Sequence, residues 1–79
     1  MKAAFLLFNH HETARTFRDT LRERMYAAGY EPHQVTEIFR NWFASKKLTA
    51  YIAGTADAER ACDVAHEMRG VMCKLRDMP

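Results

Sequence analysis

The apolar positions of this chain fall into stretches of different period, and each period predicts an element. Residues 3–8 are apolar without interruption, the pattern of a central strand buried on both faces. Asn9 and Glu12 follow at capping-box spacing, with Asn9 as N-cap and Glu12 reaching back to it. Ala14, Phe17, Leu21, Met25 and Ala28 then recur at helical spacing. Gly29 stands where such a helix needs a left-handed residue to end. Residues 48–53 carry aromatic and β-branched side chains and close on Gly54, which predicts a second strand. Thr55 then reads as N-cap of a helix whose apolar stripe is Ala58, Ala61, Val64, Ala65 and Met68. Gly70 stops that helix. Beyond it Val71, Cys73 and Leu75 alternate with Met72, Lys74 and Arg76 as a short half-buried strand.

Residues 31–47 admit two readings. As a helix, Pro32 sits in the tolerated first turn, and Val35, Ile38, Phe39, Trp42 and Phe43 share one face. As a strand, the same residues have high β-propensity and pair with residues 48–53 through a turn near Ser45 and Lys46. The strand turns Glu37 and Asn41 inward beside Val35, Phe39 and Phe43, which counts against it. With the strand the order is βαββαβ, a four-stranded antiparallel sheet with two helices on one face. That order resembles the ferredoxin-like fold over essentially the whole chain, in architecture and not in motifs, and it is the preferred expectation. The alternative is βααβα, with residues 32–45 helical.

Length and composition bound the rest. Seventy-nine residues, 48% apolar and 28% charged, make one small α+β domain over residues 1–79. A chain this short buries only about 60% of its unfolded surface. It therefore draws on a disulfide, a metal or a second copy for stability. Two cysteines are too few for a secreted disulfide scaffold, and no Cys-x-x-Cys pair exists, so a homodimer is the expected aid. Twelve basic against ten acidic residues leave a charge of +2, less than a dedicated non-specific DNA binder carries. The apolar run of residues 3–8 ends at Asn9 without a cleavage-like site, and no stretch approaches the ~20 residues of a membrane span. A cytoplasmic protein with reduced thiols and no membrane partner is expected.

Candidate chemistry is sparse. His10, His11 and Glu12 follow the first strand and are weak metal or acid–base candidates, with His33 or His66 as conceivable partners. No nucleophile triad, phosphate-binding glycine loop or paired-carboxylate motif accompanies them, so no catalytic residue, metal or cofactor is expected. Arg15, Arg18 and Arg22 line one sector of the first helix, although Asp19 is spaced to pair with them. In the ferredoxin-like register Ile38, Arg40 and Trp42 share the sheet face that no helix covers with Thr49, Tyr51 and Ala53. Residues 47–54 lack the early glycine and paired aromatics of an RNA-recognition motif. Ile38, Trp42, Tyr51 and Met72 are therefore expected to form a dimer interface. Cys62 and Cys73 would lie ~16 Å apart along an unbroken helix, but near each other if Gly70 reverses the chain. Free thiols are the default for both, and a disulfide between two chains is the candidate chemistry beyond it.

The expectation that follows is a non-enzymatic homodimer that regulates or blocks a macromolecular partner by occlusion. Arg15, Arg18, Arg22 and Arg40 would meet an acidic protein surface or nucleic acid. Small inhibitors of phage and mobile-element origin, anti-CRISPR proteins among them, are often built on this scale. The alternatives are a nucleic-acid-binding protein that uses the arginine stripe and the sheet aromatics, and a metal protein or enzyme at His10, His11 and Glu12.

Overall fold

The computed structural model describes residues 1–40 and 48–79. Its elements in chain order are β1 (Lys2–Phe8), α1 (His11–Ala27), α2 (Pro32–Phe39), β2 (Thr49–Ala53), α3 (Thr55–His66) and β3 (Val71–Asp77). β1 is the middle strand of an antiparallel sheet ordered β2-β1-β3. The class is α+β, as expected. The four-stranded ferredoxin-like arrangement is not what forms: among the described residues there are three strands and three helices.

The difference lies at residues 31–39, where helix chemistry outweighs β-propensity. Glu31 is the N-cap, Pro32 takes the first helical position, and the Gln34 side chain accepts the Glu31 backbone N–H at 2.7 Å. Val35 is buried by this helix while Ile38 and Phe39, three and four residues on, pack half-buried on the same core. A strand here would have turned Glu37 inward; the helix leaves it exposed. The outcome joins the helix of one reading to the last strand of the other, and residues 41–47, with Trp42 and Phe43, lie outside the described part.

α1 buries Ala14, Phe17, Leu21 and Met25, the predicted stripe. It ends in a Schellman motif: the Gly29 N–H donates to the Tyr26 carbonyl and the Tyr30 N–H to the Met25 carbonyl, both at 3.0 Å, with Gly29 at φ +93°. Its start differs from expectation. His10 is the N-cap and no side chain caps the helix. The Asn9 N–H instead donates to the Gly70 carbonyl at 2.9 Å, pinning the end of β1 to the turn before β3. Likewise Gly54, not Thr55, caps α3, and the Thr55 Oγ1 accepts the Lys2 N–H at 3.0 Å.

The three helices share one core with the sheet. Ala4, Leu6 and Phe8 of β1 and Ile52 of β2 meet Phe17, Leu21 and Met25 of α1, Val35 of α2, and Ala58, Ala61, Val64 and Ala65 of α3. The small residues of α3 let it lie close on the strands. Burying side chains the size of Phe17, Leu21 or Met25 contributes about 1.5–3 kcal/mol each. Between α1 and α3, Arg24 and Glu67 form an ion pair at 2.8 Å. Near the start of α3 the Tyr30 hydroxyl donates to the Asp57 carboxylate, while the Arg60 guanidinium lies 5.6 Å from the Tyr30 ring centre.

Candidate functional site

The strand registers decide what the other side of the sheet presents. Phe5 of β1 stands between Tyr51 of β2 and Lys74 of β3; Leu7 stands between Thr49 and Met72; Ala3 between Ala53 and Arg76. These nine residues share the side of the sheet opposite Ala4, Leu6, Phe8 and Ile52, and all but the buried Ala3 are exposed among the described residues. Phe5, Leu7, Tyr51 and Met72 are exposed there by 39%, 48%, 49% and 67%. Residues 3–8 had predicted a strand buried on both faces. Ala3, Ala4, Leu6 and Phe8 are buried, but Phe5 and Leu7 face outward and are exposed among the described residues.

The face is organised by chemistry as well as by register. The Phe5 and Tyr51 rings meet edge to face with centroids 4.9 Å apart. The Arg76 guanidinium lies 5.8 Å from the Phe5 ring centre on the other side. Neither Lys74 nor Arg76 is paired with a carboxylate among the described residues. The face hollows into an open groove of about 760 Å³, lined by Phe5, Leu7, Thr49, Tyr51, Met72 and Lys74 and by Glu37 and Ile38 of α2. Glu37, the one acidic group among these, is held by Arg40 at 3.1 Å. Two aromatic faces, an aliphatic floor and unneutralised cations on a single strand therefore share one surface.

Of the residues expected to form a dimer interface, Tyr51 and Met72 lie on this face. Ile38 reaches the groove from α2 rather than from a strand, and Trp42 lies outside the described residues. The arginine stripe is largely internally balanced. Asp19 accepts from Arg18 at 3.2 Å and from Arg22 at 3.0 Å, leaving Arg15 exposed beside them. Arg40 sits at the C-terminal end of α2, engaged with Glu37. His10, His11 and Glu12 are exposed at the start of α1. Among the described residues no three His, Cys, Asp or Glu side chains are arranged to hold a metal ion.

The cysteines depart from both readings made of them. Gly70, at φ +81°, reverses the chain so that Cys73 returns against α3. Cys62 and Cys73 are bonded to each other within the chain, Cα atoms 5.6 Å apart, and neither thiol is free to join a second copy.

Phe5, Leu7, Lys74 and Arg76 are the site residues that sequence reasoning passed over. The alternation of Met72, Lys74 and Arg76 with Val71, Cys73 and Leu75 had signalled them. What it could not say is which set of β1 side chains they would stand beside. No helix of the described part is long and apolar enough to cross a membrane. No protein-family model matches the chain, and no curated protein or solved structure is significantly similar to it.

Proposed function

We propose that the chain is a small non-enzymatic binding protein whose exposed sheet face takes single-stranded nucleic acid. The observation that carries this reading is the row Tyr51–Phe5–Lys74, with Arg76 beside it. Exposed aromatic rings on a sheet offer platforms on which unpaired bases stack regardless of sequence. Lys74 and Arg76 lie on one edge strand, two residues apart, suited to follow a phosphodiester backbone. A duplex would hide its bases from the rings, which favours an unpaired strand. The modest charge of +2 accords with a site that holds bases as well as phosphates.

A second copy of the chain is the competing occupant of the same face, and the exposed Leu7 and Met72 favour it. The four large apolar side chains offer roughly 400 Å² between them, taking about 150–250 Å² for a large side chain in full. A stable interface needs about 800 Å² per partner. Pairing the face with itself would also bring Lys74 and Arg76 toward their own copies with little acid to meet them. Occlusion of a protein partner, which Arg15 on the opposite layer could serve, is the third reading.

Fluorescence anisotropy with labelled ten-nucleotide oligothymidylate, oligouridylate and a ten-base-pair duplex tests the proposal. Micromolar or tighter binding of a single strand, weakening as salt rises and exceeding that of the duplex, is expected. Absence of binding at low salt, or equal binding of the duplex, would overturn it. A dimer by light scattering that is lost in Leu7→Glu would hand the face to the second copy.

A further inference from the structure

β3 supplies both cations of the exposed face, and it meets the core through side chains that are only half-buried, Val71 and Cys73. None of its residues belongs to the buried core. It pairs with β1 on one side only, and even its inward Leu75 is 39% exposed. One covalent bond compensates. Cys73, between Met72 and Lys74, is joined to Cys62, which α3 holds in the core at 6% exposure. The disulfide is also reachable: a cleft of about 250 Å³ between α3 and β3 is lined by both cysteines together with Glu59, Asp63, His66 and Leu75.

We propose that the Cys62–Cys73 disulfide is a redox gate on the exposed face, closed by oxidation and opened by a dithiol. The gate rests on the nucleic-acid reading above. A thiolate of the dithiol enters the cleft and attacks the half-buried Cys73 Sγ, the more accessible sulfur, and Cys62 leaves as thiolate and takes a proton from solvent. The second thiol of the reductant, as thiolate, then attacks its own first sulfur and releases Cys73 as thiolate, which is protonated in turn. Two electrons and two protons pass to the protein, and the reductant departs as a cyclic disulfide. Glu59 and Asp63 at the cleft mouth repel an anionic monothiol, so a neutral dithiol is the faster reductant. With the bond open, β3 keeps its ladder to β1 and the packing of Val71 but loses its covalent tie to α3. Local opening then displaces Lys74 and Arg76 from the aromatic row.

The test compares oxidised protein, dithiothreitol-treated protein and the Cys62→Ser/Cys73→Ser variant. Two measurements are made on each: anisotropy with labelled ten-nucleotide oligothymidylate, and amide hydrogen exchange. The proposal expects about tenfold weaker binding in the two reduced-type forms, exchange at residues 71–77 accelerated well beyond that of the rest of the chain, and recovery on reoxidation of the treated protein. Equal affinity in all three forms would overturn the gate and leave the binding reading intact. Failure of the oxidised protein to bind would remove the reading and the gate together. Acceleration of exchange by the same factor in residues 71–77 as in the rest of the chain would show a purely structural link and overturn the gate as well.

Discussion

Phe5 and Tyr51 meet edge to face across the β1–β2 ladder with centroids 4.9 Å apart, on the side of the sheet opposite Ala4, Leu6 and Phe8. Each ring is partly supported by the other and keeps much of its surface in water, which is the condition for a third planar group to join them. Tyr51→Ala should weaken single-strand binding about tenfold or more, since one base stack contributes about 1–3 kcal/mol. The fold should survive, because Tyr51 is outside the core. Anisotropy and far-UV circular dichroism read the two effects separately.

Lys74 and Arg76 carry the electrostatic part of the proposal. Each phosphate neutralised on a single strand adds about 0.7 to the slope of log affinity against log salt. Lys74→Gln with Arg76→Gln should flatten that slope by about 1.4. An unchanged slope would show that the phosphates lie elsewhere, with Arg15 the first place to look.

Opening the disulfide should also register in global stability. A bond between residues 62 and 73 closes a short loop, worth about 3 kcal/mol in the chain-entropy account. Urea unfolding with and without reductant checks it. By comparison Phe17→Ala, which empties a fully buried site beneath Phe8, should cost about 3–5 kcal/mol and shift the midpoint further than reduction does.

The helix layer has its own pH signature. The hydrogen bond and charge of Arg24 hold the Glu67 carboxyl below its ordinary value of 4.5. A depressed folded value means that the stability this pair contributes is present above pH 4.5 and is lost as pH falls through the folded value. The Tyr30 hydroxyl is displaced the other way, raised from 10.0 chiefly by its hydrogen bond to Asp57. Its contribution is present below pH 10.0 and is lost as pH climbs through the folded value. Thermal unfolding across pH should show both limbs. Arg24→Gln should flatten the acid limb and Tyr30→Phe the alkaline one.

Much of the helix layer was legible in the chain. Ala14, Phe17, Leu21 and Met25 repeat at a helical period that only one geometry satisfies, and Gly29 and Gly70 mark turns that other residues enter only under strain. The stretch after Glu31 was misjudged because a four-strand pattern was weighed against its own periodicity and its Pro32. Asn9 was assigned to a cap because its spacing to Glu12 fits one, but a backbone partner at Gly70 won it. The exposed face was hidden for a deeper reason. A continuous apolar run reports that both sides of a strand avoid charge, and it carries no record of whether anything sits on each side. Only the strand registers and the burial of each β1 side chain settle that.

The alternation along β1 has one more consequence. Ala4, Leu6 and Phe8 hold the molecule together, while Phe5 and Leu7, interleaved among them, hold nothing in the core. Two vocabularies are thus written on alternate letters of one strand, and Tyr51, Met72, Lys74 and Arg76 extend the second across its neighbours. A lineage carrying this fold can rewrite those positions without learning again how to fold.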